Sequence, residues 1–213
     1  MNNSKMLYWV SKQIFTFLTK LLLRFHVSGR ENLPEPPFIL ASNHSSIIDP
    51  ALVGIACYKY RVDFMAKSEL FTVPILGAWV KAVGCIEVKR SGNNVGSLKE
   101  AIKRLRAGRI VGIFPEGTRS IDGNLQMAKK GTGFIIAKAS VPVVPVYVKG
   151  SDKAAPKDSH LVVGTEVKVF IGKPVFPHDF PGVTGDKDFY ESFAGETMKH
   201  IAELKEKCDR EQR

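Results

Sequence analysis

Three short stretches of this chain are apolar at almost every position: Phe38-Ile39-Leu40-Ala41, Ile110-Val111-Gly112-Ile113 and Val143-Val144-Pro145-Val146-Tyr147-Val148. A strand with one wet face alternates apolar and polar residues. A short continuous apolar run bounded by turn residues reads instead as a strand buried on both faces. Helical patterns separate the runs. The clearest covers residues 93–107, where Val95, Leu98, Ile102 and Leu105 face inward, Lys99, Lys103 and Arg106 face outward, and Gly108 stops the helix. Residues 61–66 and 84–90 read as further strands, the second delivering Lys89 and Arg90 to its end. Residues 161–172 read as a later strand near an edge, and residues 186–213 as a closing helix. The alternation predicts an α/β fold with a mostly parallel or mixed sheet flanked by helices, and 213 residues suffice for one such domain.

Two polar clusters follow two of the buried runs. Asn43, Ser45, Ser46 and Asp49 supply turn and N-cap chemistry, and Pro50 suits the first position of a helix. His44 and Asp49 are five residues apart across that turn, so the carboxylate can hold one imidazole nitrogen and leave the other free. The second cluster is Phe114-Pro115-Glu116-Gly117-Thr118-Arg119-Ser120. Open α/β sheets bind ligands in the crevice beyond the carboxyl ends of their strands, so both clusters can reach one crevice.

These residues resemble four ordered blocks of the glycerolipid acyltransferase family, whose best-known members are 1-acyl-sn-glycerol-3-phosphate acyltransferases. The first block is Asn43-His44 through Asp49. The second is Gly84-Cys85-Ile86-Glu87-Val88-Lys89-Arg90, and the third is the cluster from Phe114 to Ser120. The fourth is Val141-Pro142-Val143-Val144-Pro145-Val146. The resemblance covers about residues 35–150. It implies transfer of a fatty acyl group from acyl-CoA or acyl carrier protein, as co-substrate with no further cofactor, to the free hydroxyl of 1-acyl-sn-glycerol 3-phosphate. Another lysophospholipid or glycerol 3-phosphate is the alternative acceptor. The rival from another class is a non-catalytic lipid-binding protein, against which the intact His44 and Asp49 argue.

Such a reaction needs a base, a phosphate anchor and stabilisation of a developing oxyanion. His44 is the expected base and Asp49 its orienting partner. Arg119 and Arg90 are the expected phosphate ligands, with Lys89 and Lys130 as secondary charges, because a guanidinium meets phosphate with a planar fork of donors. Gly117 lets the backbone approach a phosphate oxygen with its N–H, and Thr118 can donate one more hydrogen bond. Glu116 either accepts from the acceptor glycerol or holds Arg119, with a plain Glu116–Arg119 salt bridge as the bland reading. Cys85 competes as a nucleophile, but a small buried residue is the commoner reading of a free cysteine. Phe71, Ile75, Leu76 and Trp79 are candidates for lining an acyl-chain tunnel, with plain core as the alternative. No metal-ligand set appears in the sequence.

The formal net charge is +10, an excess that calls for nucleic acid, anionic lipid or a phosphorylated substrate. No nucleic-acid-binding motif accompanies it. The three cysteines are widely spaced and fit a reducing compartment. Residues 5–24 are amphipathic at helical pitch. Leu7, Val10, Ile14, Leu18, Leu21 and Leu22 form a broad apolar arc opposite Lys5, Lys12, Thr16, Thr19 and Lys20. The expectation is a helix in the interface of an anionic bilayer, on the cytoplasmic face, with its lysines and Tyr8 and Trp9 at the headgroups. The alternative is an ordinary helix packed on the domain. Residues 1–30 are thus expected as a membrane-associating segment and 31–213 as the catalytic domain.

Overall fold

A computed structural model of the chain describes residues 3–89, 94–157, 159–180 and 189–211. Its elements run α1 (Asn3–Leu22), β1 (Arg24–Ser28), β2 (Ile39–Ser42), α2 (Asp49–Ala56), β3 (Val62–Lys67), α3 (Ser68–Thr72), α4 (Leu76–Ala82) and β4 (Ile86–Val88). They continue with α5 (Val95–Arg106), β5 (Ile110–Ile113), α6 (Lys130–Ala139), β6 (Val143–Lys149), α7 (Ser151–Ala154), β7 (Glu166–Ile171) and α8 (Phe189–Arg210). Seven strands form one sheet in the order β1-β7-β6-β2-β5-β3-β4. The five from β6 to β4 are mutually parallel, β7 runs against β6, and β1 is parallel to β7. This is the expected α/β class with a mixed, mostly parallel sheet.

The continuous apolar runs become the central strands because helices cover both faces. Every residue of β2 and β5 is buried. Successive side chains alternate between faces. Ile39, Ala41, Val111, Ile113 and Val143 join Ala101, Ile102 and Leu105 of α5, Ile135 and Ile136 of α6 and Ile201 of α8 in one cluster. Phe38, Leu40, Val144 and Val146 join Leu52, Val53 and Ala56 of α2, together with Leu23, in the other. Full burial of each such aliphatic or aromatic side chain is worth about 1.5–3 kcal/mol. The parallel strands β6, β2, β5, β3 and β4 therefore end at one edge of a rigid, doubly covered sheet.

One strand escapes the sequence pattern. β7, expected near an edge, stands next to it: β1 takes the edge and pairs with β7 from Arg24↔Glu166 to Ser28↔Phe170. β1 follows α1 with only Leu23 between them, so its residues read as a helix end and the start of a linker. Its exposure alternates along just five residues, with Phe25 and Val27 half-buried against the sheet's cluster.

The orientation of α1 also differs from expectation. The polar side of the helix turns onto the domain. Lys12 Nζ donates to the carbonyls of Cys57 at 2.8 Å and Tyr60 at 2.9 Å, just past the C-terminus of α2, where helix carbonyls lack partners. Tyr8 Oη accepts from Val62 N at 3.0 Å, and Trp79 Nε1 donates to Ser11 Oγ at 2.9 Å. Burial lowers Lys12 to a pKa of about 8 and pushes Tyr8 up to about 12. Lys12 and Tyr8 are therefore docking contacts, not headgroup contacts, while Lys5 and Lys20 stay exposed. The apolar arc faces outward: Val10, Ile14, Phe17 and Leu21 are each about half or more exposed. Among the described residues, no helix is long and apolar enough to cross a membrane.

Candidate active site

β2 ends at Ser42, but its pairing continues one residue further through a side chain. Asn43 Nδ2 donates to Val148 O at 2.9 Å, and Val148 N donates to Asn43 Oδ1 at 2.7 Å. The amide substitutes for a peptide on the ladder, so the main chain can leave the sheet at His44. Asp49, the first residue of α2, does not cap its own helix. Its carboxylate folds back into the preceding turn, where Oδ2 accepts from Ser45 N at 2.8 Å and Ser46 N at 2.7 Å. The same oxygen lies 2.9 Å from His44 Nδ1. A carboxylate only accepts, so in the neutral imidazole Nδ1 carries the proton and Nε2 is left bare. Asp49 is fully buried, while the His44 side chain keeps 17% of its surface open. Ser46 Oγ donates to Ala155 O at 2.9 Å and Ser45 Oγ meets Ser151 Oγ at 3.1 Å, tying the turn to α7 and its C-terminal end.

The cluster after β5 wraps this histidine. Phe114 stacks on the imidazole, with ring centroids 4.1 Å apart and planes 21° from parallel, and Phe64 stacks in turn on Phe114. Glu116 Oε1 accepts from His44 N at 2.9 Å, and Ser120 N donates to His44 O at 2.7 Å. Both polar atoms of the histidine's main chain are thus held by the loop that follows Ile113. Glu116 Oε2 accepts from Gln126 N at 3.1 Å, fixing the far side of the same loop. Burial raises the Glu116 pKa; the two N–H donors work against it and nearby Asp49 works with it.

Several expected roles change in this setting. Glu116 is 1% exposed and grips main-chain N–H groups, so it neither extends into the crevice nor holds Arg119. Gly117 has φ 68°, the left-handed turn that favours glycine, but its N–H donates to Phe114 O at 2.9 Å and does not point outward to an anion. Lys130, at the start of α6, ion-pairs with Glu191 of α8 at 2.5 Å, both side chains being exposed. Thr118 is exposed and Arg119 half-buried in the wrapping loop, one residue from the Ser120–His44 contact. Lys89 is exposed at the carboxyl end of β4, the same end of the sheet as His44 but three strands from β2. Arg90 lies outside the described residues.

Cys85 sits just before β4, at the opposite end of the sheet. Its neighbours there are Asp63 and the arginines Arg61 and Arg104, and burial pushes its thiol up to about 11. Asp63 is buried and ion-paired to Arg104 at 3.2 Å, Arg61 at 3.5 Å and Arg109. Cys85 therefore belongs to a structural anchor. Of the candidate tunnel residues, Ile75 is 88% exposed, and Trp79 packs against Phe15 of α1 with centroids 5.8 Å apart.

The grip of Glu116 on His44 N, the Phe114 stack and the Asn43 ladder pair are the elements that sequence reasoning missed. Their signal was position: each lies in or beside a polar cluster at the end of a buried run.

The chain is similar to known proteins in sequence and in fold. A family profile described as Acyltransferase matches residues 24–149. A chloroplastic 1-acyl-sn-glycerol-3-phosphate acyltransferase of Brassica napus is 34% identical over 173 residues, 79% of this chain and 48% of that protein. This chain spans about half the length of that plant relative. The 1-acyl-sn-glycerol-3-phosphate acyltransferase of Bacillus subtilis is 31% identical over 184 residues, 86% of this chain and 89% of that protein. The crystal structure of the 1-acyl-sn-glycerophosphate acyltransferase PlsC from Thermotoga maritima superposes with a TM-score of 0.73 at 30% identity, covering 95% of this chain and 79% of that one.

Proposed function

We propose, from the premise that this chain belongs to the acyltransferase family, that it moves a fatty acyl group from a thioester donor to the free hydroxyl of 1-acyl-sn-glycerol 3-phosphate. The product is phosphatidic acid. The observation that carries the reading is the His44–Asp49 pair at 2.9 Å, with Nε2 bare and the histidine main chain clamped by the loop after β5. His44 Nε2 takes the proton of the acceptor hydroxyl as its oxygen attacks the thioester carbonyl. Asp49 holds the ring and stabilises the imidazolium that forms. The tetrahedral adduct then collapses, the carbon–sulfur bond breaks, and the proton on His44 passes to the departing thiolate. The acceptor alcohol is the nucleophile, so no acyl-enzyme forms. The pKa of Cys85, near 11, and its place at the far end of the sheet support this direct attack.

Arg119, with Arg90 and Lys89, supplies the positive charge for the acceptor phosphate. The donor is acyl-CoA or acyl carrier protein. The acceptor resides in a bilayer, and the outward apolar arc of α1 supports a peripheral or monotopic seat on a membrane, which this scheme assigns to the cytoplasmic face. In this scheme α1 contributes the membrane contact, and the catalytic unit begins not at residue 31 but with β1, whose Arg24–Ser28 pair with β7 in the sheet.

The test is purified protein incubated with labelled acyl donor and a panel of acceptors: lysophosphatidic acid, other lysophospholipids and glycerol 3-phosphate. Acceptor-dependent release of CoA or carrier thiol, fastest with lysophosphatidic acid, is the expected result. Release with another acceptor alone would reassign the substrate, and no release with any would leave a lipid-binding protein.

A further inference from the structure

Among the described residues, two that are not glycine have a positive φ, Ser140 at 52° and Ile75 at 63°. Ser140 ends α6 in the ordinary left-handed conformation, with ψ 42°. Ile75 is different. Its ψ is −56°, and Leu76 N donates to Pro74 O at 2.6 Å across it. That is the γ-turn of positive φ, which is rare and strained, and a β-branched residue suits it least. The turn is held from inside. Gly77 N donates to Val73 O at 2.7 Å, and Gly77 is buried so close to α3 that a Cβ there would collide with Phe71 O. Its apolar side chains face outward: Val73, Ile75 and Leu76 are all exposed, and no residue from Thr72 to Leu76 is charged. A strained, rigid turn that displays an isoleucine is accounted for by something apolar that receives it.

We infer that this turn inserts into a lipid bilayer as a second contact beside α1, so that the membrane seat reaches the His44 end of the sheet. The inference rests on the peripheral membrane reading above. Three observations single out lipid as the occupant. First, α4 packs on α1. Trp79 meets both Ser11 and Phe15, and Ser4 Oγ donates to Ala82 O at 2.6 Å. Ile75 precedes Trp79 by four residues, about 6 Å along the helix, so the turn adjoins the helix whose apolar arc is exposed. Neither α1 nor α4 contains an acidic residue, while Lys5, Lys20 and Lys81 are exposed on them, which suits an anionic bilayer. Second, the turn leaves the sheet at the end that carries His44. α3 begins directly after Lys67, the carboxyl end of β3, and α4 leads back to Cys85 at the opposite end. Phe64 of the same strand stacks on Phe114, which stacks on His44. Third, the pattern repeats on the neighbouring helix. α2 also packs against α1 and also starts at the His44 end, and Ile47, just ahead of it and three residues after His44, is exposed. Two helices beside α1 thus each present an exposed isoleucine ahead of their first turn, at the end where His44 opens.

The experiment uses the full chain and vesicles of phosphatidylcholine with phosphatidylglycerol. Ile75→Asp puts a charge on the turn, and Ile75→Gly removes the side chain while fitting the positive φ. Both should weaken vesicle partition in sedimentation, the Asp variant about tenfold or more, the scale of one apolar side chain kept in water. Turnover of a micellar, short-chain acceptor should stay unchanged, and the thermal midpoint of Ile75→Gly should equal or exceed that of wild type. A nitrobenzoxadiazole dye on the thiol of Ile75→Cys should, on vesicles, be quenched by nitroxides on the lipid chains and protected from aqueous iodide. Cys57 and Cys208 are buried, and a labelled wild-type chain corrects for Cys85. Unchanged partition in both variants, or a dye that iodide still reaches on vesicles, would overturn the insertion. A lowered midpoint in Ile75→Gly would do so too, by making the side chain part of the fold. So would a wild-type dimer that Ile75→Asp dissociates with partition unchanged, which would assign the turn to an interface between copies. Vesicle binding lost in Ile14→Asp with Phe17→Asp but kept in Ile75→Asp removes this inference alone. A wild-type chain that ignores vesicles removes the membrane reading beneath it.

Discussion

The main-chain N–H of His44 donates to the buried carboxylate of Glu116 at 2.9 Å, across 72 residues of sequence. This contact makes the loop after β5 part of the histidine's setting, and it gives Glu116 a positioning role. In Glu116→Gln only one oxygen remains to accept, and an amide N–H faces either His44 N or Gln126 N. A buried donor left unpaired costs about 1–3 kcal/mol. The variant should show a lower thermal midpoint, and kcat should fall at least about tenfold because small misplacements of a catalytic group are expensive. An unchanged midpoint and kcat, with a raised acceptor KM, would mean that Glu116 touches substrate instead.

His44→Ala should lower kcat by roughly 10²–10⁴-fold with the fold intact. Asp49→Asn is the better probe of orientation than Asp49→Ala. Its amide oxygen can still accept from Ser45 N and Ser46 N, whereas the hold on the Nδ1 proton is weakened. It should lose turnover with little change in the circular-dichroism melt. Cys85→Ser should retain most activity. Damage from Cys85→Ser matching that of His44→Ala in a well-folded protein would replace direct attack with a covalent route.

Arg119→Lys keeps the charge and removes the planar fork. The acceptor KM should rise in steady-state kinetics with kcat little altered, the pattern of a contact made equally in ground and transition states. The donor KM should move least. A raised donor KM with the acceptor KM untouched would place Arg119 against the donor's phosphates.

Lys12 provides a pH test of how α1 is docked. Its folded-state pKa of about 8 lies below the ordinary value of 10.5 because burial disfavours the ammonium. Between those values the unfolded chain binds the proton more tightly, so the contribution of Lys12 to stability rises with pH across that window. It is complete above the upper value and is lost as pH falls through the lower one. The gap in unfolding free energy between wild type and Lys12→Met should therefore shift in favour of wild type from pH 8 to pH 10. A gap that narrows with pH would show that the ammonium is better solvated in the fold than its burial implies.

The membrane contact of α1 is best tested by substitution. Removing residues 1–26 would also cut into β1, which pairs with β7 over Arg24–Ser28. Ile14→Asp with Phe17→Asp places two charges on the exposed arc and leaves the Lys12 and Tyr8 contacts in place. Sedimentation with anionic vesicles should drop sharply, while turnover of a micellar, short-chain acceptor should persist. Undiminished sedimentation would move the membrane contact to another surface.

The central strands were legible because burial on both faces needs a continuous apolar run, and Phe38-Ile39-Leu40-Ala41 and Ile110-Val111-Gly112-Ile113 have one. The His44–Asp49 pair was legible too, because a five-residue turn closes that contact locally, whatever the rest of the chain does. What surrounds the pair depended on topology. β2 and β5 are neighbours although β3 and β4 intervene in sequence, and only that adjacency brings Glu116, Phe114 and Ser120 onto His44. The same limit explains Gly117 and Lys130. A motif names groups able to meet a phosphate, but Phe114 O and Glu191 compete for those groups once the chain is folded. For α1, periodicity determined two faces and left open which one turns inward. Carbonyls beyond the end of α2 decided that, because an ammonium can donate to them and a leucine cannot.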